Sequence, residues 1–295
     1  MPSISIVGIG RVGGALAIAL SRSGYALENL VYRTPETAEQ ISNLLPATSS
    51  VTAPATSFPQ IHSDIILIAT ADPDIRPAAE MLVHHVDHRP VVLHTSGSLS
   101  SSDVLAALSS IGCAIGSMHP LVSISDAVSG SDAFSNAFFC VEGDDAARMT
   151  ATSIVESLGG RSFSIRSENK ALYHAAAVTA SGHFVALVDA AIEMLTECGV
   201  DSQRAQEILL PLIQSTVDNL ESQRPARALT GTFARGDFAA FERHLGAMEK
   251  TPKAIRDIYL LLGERSLELA ASNGAKPEDL QKIRERISIA KRKSE

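Results

Sequence analysis

The sequence predicts an α/β protein: a doubly wound, mostly parallel sheet over residues 1–166, followed by an all-helical domain over residues 167–295. Three observations predict it. A short apolar run, Ile4-Ser5-Ile6-Val7, leads into Gly8-Ile9-Gly10-Arg11-Val12-Gly13 and then into an Ala- and Leu-rich helical stretch. Up to about residue 165, short apolar runs alternate with helical segments, the beat of a parallel sheet with crossover helices. From Ser167 onward no strand pattern appears.

The glycine turn carries the first functional reading. Strand, G-x-G-x-x-G and helix in that order form a dinucleotide-binding fingerprint. Gly8 permits the tight turn, Gly10 lets a pyrophosphate approach the backbone, and Gly13 lets helix and strand pack closely. Free amides around Arg11 and Val12 then face the phosphates, aided by the helix dipole.

The next elements follow in order. Ser23-Gly24 stops the first helix, and residues 30–32 form the second strand. A free ribose 2′-hydroxyl calls for Asp or Glu after that strand. The chain has Arg33-Thr34 there, donors suited to a 2′-phosphate, which points to NADP rather than NAD. The plainer alternative is a solvated Arg33, with Thr34 capping a helix that begins at Pro35. Residues 46–60 read as a surface connection with one short strand. Residues 64–69 read as a strand covered on both faces, and 75–84 as a helix. Thr70 and Asp72, in the loop between them, are candidate cofactor neighbours, although Asp72 or Asp74 equally suits a helix cap.

Residues 90–95 and 112–118 are further strands, and Ser100-x-x-Asp103 resembles a capping box before a helix over 104–109. The strand ends Ser96-Gly97 and His119-Pro120 fall on the rim that holds the cofactor loop. His119 is a candidate functional group, and His94, inside an apolar run, reads as a satisfied core residue. A strand over 137–141, a helix over 144–158 and a last strand over 161–165 complete the sheet.

The helical half predicts helices over about 168–197, 201–220, 237–247, 251–272 and 277–291. In the first, Lys170, His174, Ala177 and Ser181 fall within a sector of about 60°. A lysine, an imidazole and a hydroxyl thus share one face among small residues, as a substrate-facing stripe or as a helix–helix seam. Residues 229–236 read as a loop with Asp237 capping the next helix. Arg235 there suits a carboxylate ligand or a surface acid. The basic residues of 282–293 fit a solvated helix face.

Composition narrows the function classes. A net charge of −8 argues against a broad nucleic-acid surface. The three cysteines are scattered, with no metal-ligand spacing, which favours a reduced cytoplasmic setting and no structural metal. The apolar start is interrupted by Arg11 and lacks a basic leader, and no run of 18 or more apolar residues occurs, so neither a signal peptide nor a membrane span is expected.

Taken as a set, His94-x-Ser96-Gly97, Ser117-x-His119-Pro120, Lys170-x-x-Tyr173-His174-Ala175-Ala176-Ala177 and Leu229-Thr230-Gly231…Arg235-Gly236-Asp237 resemble a bacterial family of Rossmann-like proteins. These pair an N-terminal NADP-binding domain with a helical domain of unknown function. The resemblance covers nearly the whole chain. More distantly the chain is similar to pyrroline-carboxylate reductase, deazaflavin-dependent NADP reductases, prephenate dehydrogenase and 3-hydroxyacid dehydrogenases. In the last group a lysine on the helix after the nucleotide domain is catalytic, with an Asn one turn later. Lys170 stands at a comparable place, and His174 stands where the Asn would be. Thr232 and Ser181-Gly182 also depart from the resembled pattern, which has Pro and Ser-Asn there.

The resemblance implies a helical domain that often dimerises, here a homodimer. The leading expectation is an NADP-dependent oxidoreductase moving hydride to or from a small carbonyl, imine or hydroxy-acid substrate. Lys170 or His174 would handle the proton, with Ser96, Ser181 and His119 around the substrate. Two alternatives stand beside it: a non-catalytic NADP-binding sensor or assembly module, and a prephenate-like dehydrogenase.

Overall fold

The computed structural model describes residues 1–46 and 51–292. It divides into two compact units, Met1–Ser181 and Gly182–Glu295.

The first unit is built on an eight-stranded sheet in the order β3-β2-β1-β4-β5-β6-β7-β8. The strands are β1 (Ser3–Val7), β2 (Ala26–Tyr32), β3 (Val51–Pro54), β4 (Ile65–Ile68), β5 (Val91–His94), β6 (Ala114–Pro120), β7 (Phe138–Gly143) and β8 (Arg161–Phe163). All described pairings are parallel except β6 with β7. The chain winds outward from β1 to β3, then returns to place β4 on the other side of β1. That reversal opens a crevice at the carboxyl ends of β1 and β4, the ligand position of open α/β sheets.

Alternation along the strands explains the two-sided core. Ile4, Ile6, Ile65 and Leu67 pack with Leu16, Ile18 and Leu20 of the helix Arg11–Arg22. Val7, Ile66 and Ile68 point the other way, toward Ile75, Ala79 and Leu82 of the helix Asp72–Leu82. A strand apolar at every position is what two covered faces require. The helix Asp72–Leu82 begins three residues before the expected start, because Asp72 and Pro73 fit a first helical turn. Ala71 therefore occupies the cap position, and neither Asp72 nor Asp74 caps the helix. Thr34 does sit at the cap of Pro35–Ser42, but its side chain makes no capping bond. Ser100 caps as expected, accepting from the Asp103 amide. Part of the expected 46–60 connection, residues 47–50, lies outside the described residues.

The second unit is wholly helical among its described residues. Phe241, Leu260, Leu267, Leu280, Ile283 and Ile287 form its core, from the helices Phe238–Ala247, Lys253–Ser272 and Pro277–Arg292. The expected loop over 229–236 contains a short helix, Gly231–Arg235, ended by Gly236 in the left-handed region (φ 64°), and Asp237 caps the next helix through the Ala240 amide.

The single helix expected over 168–197 is broken. It runs as Lys170–Ala180 and Gly182–Glu197, with Ser181 between them. The first piece groups with the sheet, so the division between units falls at Ser181 rather than near Arg166. The physical reason is Lys170, whose side chain is buried against β6, β7 and the loop after β5. By length and composition Ser167–Glu197 is apolar enough to cross a membrane. In the structure that stretch is two helices broken at Ser181 rather than one continuous rod.

Candidate functional site

A cleft of about 370 Å³ opens at the carboxyl ends of β1, β2 and β4. Gly8, Gly10, Arg33, Thr34 and Thr70 line it. Gly8 turns the chain with φ 94°, and a Cβ at Gly13 would stand 2.0 Å from the Gly8 carbonyl oxygen, so the first turn of the helix can pack on the Gly8 turn only with glycine at position 13. A Cβ at Gly10 would meet nothing within 4 Å, so the backbone is open to a ligand. The helix begins at Arg11 with no side-chain cap, which leaves the first-turn amides of Arg11, Val12 and Gly13 suited to an anion. Thr70 Oγ1 is buried without a partner. Arg33 Nη1 lies 3.4 Å from Asp74 Oδ2 in an exposed pair, worth little in water and readily replaced. Asp72 lies outside this lining; it accepts a 2.6 Å hydrogen bond from Ser98 Oγ, tying the loop after β4 to the loop after β5.

The neighbouring rim, at the ends of β5 and β6, differs from the sequence expectation. Lys170 is 1% exposed. Its ammonium donates to Ser117 Oγ at 2.6 Å and the Ser96 carbonyl at 3.1 Å, and lies 3.4 Å from Glu142 Oε1. Glu142 in turn accepts from the Ser101 amide (2.9 Å) and from the hydroxyls of Ser101 (3.0 Å) and Ser167 (3.2 Å). Burial opposes the Glu142 charge, yet Lys170 and the Ser101 bonds outweigh it and hold the carboxyl below its ordinary range. Burial lowers the Lys170 ammonium, and Glu142 restores only part of the shift. Lys170 thus presents a satisfied buried ion pair, not a proton donor open to a substrate.

Ser96 is likewise committed. Its hydroxyl accepts from the amides of Ser98 and Leu99 at 3.2 Å each, closing the turn after β5. Ser181 shares the angular sector of Lys170, but eleven residues at about 1.5 Å each place it roughly 16 Å along the axis. It lies at the exposed break in the helix. His94 is fully buried, its Nδ1 accepting from the Ser96 amide at 3.1 Å, while its Nε2 has no partner. Burial, then the Lys170 charge, lowers its pKa to about 3.

The residues that converge are His119 and His174. Their rings meet edge to face at 5.7 Å, and both pack on Gly97. His119 Nδ1 lies 2.7 Å from Tyr173 Oη. His174 Nδ1 is buried without a partner. Burial, then His174 and Lys170, lowers the His119 pKa to about 4, so the ring is neutral at pH 7. Burial also raises the Tyr173 phenol well above its ordinary value.

Sequence reasoning missed Glu142, and it named Ser117 and Tyr173 within the family motifs without giving either a role. Glu142 carried a signal: it is the one charge in the apolar strand Phe138–Gly143, and a buried carboxylate needs a cation. Tyr173 also carried one, since positions three and four after Lys170 lie on its face, one turn on.

Residues 2–120 match the Rossmann-like domain model, and residues 137–266 match the model of a domain of unknown function, DUF2520. No curated protein matches the chain. Among solved structures, a provisionally assigned NADP oxidoreductase from Bacteroides fragilis is similar at 21% identity, covering 90% of this chain and 98% of its own, with a TM-score of 0.73. A Thermotoga maritima protein is similar at 23% identity, with coverages of 92% and 99% and a TM-score of 0.69. A Plasmodium falciparum pyrroline carboxylate reductase with NADP bound shares 13% identity, with coverages of 91% and 98% and a TM-score of 0.56. The chain is thus a Rossmann-like protein with a C-terminal DUF2520 domain.

Proposed function

We propose that the chain is an NADP-dependent oxidoreductase that transfers hydride to or from a small carbonyl, imine or hydroxy-acid substrate. One observation carries the reading: a cleft built for a dinucleotide and a pair of converging imidazoles stand on one rim of the sheet, joined by the Ser98–Asp72 bond. The cleft residues fit the cofactor. Gly8, Gly10 and the amides of Arg11, Val12 and Gly13 would hold the pyrophosphate, and Thr70 Oγ1 offers an unused polar atom. Arg33, with Thr34 beside it, would exchange its exposed contact with Asp74 for the 2′-phosphate. The cofactor supplies the hydride when bound; the protein must orient the substrate and manage a proton. His119 and His174 are the polar groups we assign to that work; the charges of Lys170 and Asp72 act on His119, and Ser96 closes the turn after β5. The bound cofactor of the Plasmodium relative supports the choice of NADP.

Thermal shift tests the cofactor. NADPH is expected to raise the melting point more than NADH, since a ligand that binds only the native state stabilises it in proportion to affinity. Arg33→Ala should weaken NADPH binding about tenfold or more, the worth of a charge-assisted phosphate contact, and leave NADH unchanged. Equal shifts from both cofactors in the unaltered protein would refute the NADP assignment.

We also infer a homodimer through the helical unit, in a cytoplasmic setting where Cys113, Cys140 and Cys198 stay unpaired. The helices Gly182–Glu197 and Ser202–Ser222 each bury a single residue, Ala190 and Ala205. Val185 is 67% exposed and Leu212 63%, with Phe184, Ile208 and Leu210 also open. An apolar area of this kind marks an interaction surface, and a self-complementary dimer is the simplest occupant. Sedimentation should give about twice the 31.2 kDa chain mass. Val185→Glu with Leu212→Glu should give monomers; a monomeric unaltered protein would exclude the dimer.

A further inference from the structure

We propose that His119 is the proton donor to the substrate and that Tyr173 is the positioning residue that makes it one, by donating to Nδ1 and leaving the ring proton on Nε2. The inference deepens the oxidoreductase reading above and rests on it.

The geometry starts from the helix Lys170–Ala180. Lys170, buried in its ion pair, anchors the first turn to β6 and β7. That anchor brings Tyr173 and His174, one turn on, against the end of β6. Tyr173 is held by Phe163 of β8, ring against ring at 5.8 Å, and by the edge of His119 at 5.5 Å. Its phenol, raised by burial, stays protonated and lies 2.7 Å from His119 Nδ1; in the proposed arrangement it donates that bond. An imidazole accepting at Nδ1 carries its proton at Nε2. The charged groups that act on His119 are Lys170 and Asp72, with His174 as a third titratable neighbour; with burial they leave the ring neutral.

Gly97 sets where that proton is offered. A Cβ there would stand 2.8 Å from His119 Nε2 and 2.6 Å from His174 Nδ1. The absence of a side chain lets both nitrogens approach one point, and His174 Nδ1, buried without a partner, is the second polar atom facing it. A carbonyl oxygen or imine nitrogen bound beside them would complete both.

The proton step balances with one water as the final proton source. As hydride reaches the substrate carbon, the C=O π pair becomes a lone pair on oxygen and takes the Nε2 proton. The N–H bonding pair stays in the ring. As the Nε2 proton leaves, Nδ1 takes the Tyr173 proton. Water then supplies a proton to Nε2 and becomes hydroxide, while Nδ1 returns its proton to the phenolate, which restores the starting tautomer. An alkoxide is a stronger base than a phenolate, so the transfer runs downhill even with the phenol raised by burial.

Side-chain nitrogen NMR of the full-length protein, without substrate, tests the arrangement. His119 should show the Nε2-protonated tautomer and stay neutral at pH 6. In Tyr173→Phe, which keeps the ring packing on Phe163, the His119 signals should move toward the mixed tautomer pattern of a free imidazole, while the NADPH thermal shift stays as in the unaltered protein. A proton on Nδ1 in the unaltered protein, or a tautomer unmoved by Tyr173→Phe, would overturn the proposal. So would loss of the NADPH shift in that variant, since Tyr173 would then act on the cofactor cleft. Absence of any NADPH shift in the unaltered protein counts instead against the oxidoreductase reading, whatever the tautomer.

Discussion

Lys170→Met is expected to destabilise the protein by about 3–5 kcal/mol, the cost of removing one member of a buried ion pair. The substitution keeps most of the aliphatic stem and removes the ammonium, so the loss is electrostatic rather than a cavity. It leaves Glu142, with its side chain 5% exposed, facing no cation. Three hydrogen bonds from Ser101 and Ser167 remain, but they cannot replace a full charge in a site that water does not reach. Glu142→Gln should cost less, because Lys170 keeps Ser117 and the Ser96 carbonyl. The double change Lys170→Met with Glu142→Leu should recover part of the loss, since two apolar side chains of similar volume substitute for a buried pair at little net cost. Urea unfolding at pH 7 reads all three. A single Lys170→Met within 1 kcal/mol of the unaltered protein would show that the pair is not buried in solution.

The same lysine shows what the sequence could and could not yield. The sheet was legible because each strand pattern is local: a run of apolar residues bounded by turns carries its own signal. The glycine turn was legible because Gly8, Gly10 and Gly13 stand at the fixed spacing one backbone geometry needs. Lys170 was read as part of a substrate-facing stripe or a helix–helix seam, and its partners in the structure are Ser117 and Glu142 of the sheet. A helical wheel projects residues onto a circle and discards the axis, so it set Ser181 beside Lys170 when a long axial distance separates them. It also cannot say which strand lies opposite. The partner of Lys170 stands 28 positions earlier, in β7, and only the sheet order brings the two together. His119 and Tyr173 are 54 positions apart and meet for the same reason. The break at Ser181 carried a local signal, the adjacent Gly182, but the Ala-rich sequence before it and the apolar residues after it read through as helix.

Acid should destabilise the protein earlier than its carboxylates alone would cause. His94 and His119 have folded pKa values of about 3 and about 4, against an ordinary 6.5. A folded value below the unfolded one means that the unfolded chain binds protons first. The stability tied to neutral imidazoles is therefore fully present above pH 6.5 and is lost as pH falls through 6.5 toward the folded values. At about 1.4 kcal/mol per pH unit per group, the two rings together should cost about 4 kcal/mol between pH 7 and pH 4.5, allowing for the partial exposure of His119. Glu142, lowered in the folded state, adds its own loss only below the ordinary carboxylate range near 4.5, so the interval from pH 6.5 to 5 belongs to the histidines. Urea midpoints across that interval should fall steadily for the unaltered protein. His119→Asn should flatten the slope by removing one titrating ring, and His94→Asn, whose side-chain oxygen can still accept from the Ser96 amide, should flatten it further. A midpoint constant from pH 7 to 5 would mean that these rings are not held neutral by burial. The burial that makes them a liability in acid keeps His119 uncharged at neutral pH, where it offers a hydrogen without carrying a positive charge into a site already holding Lys170.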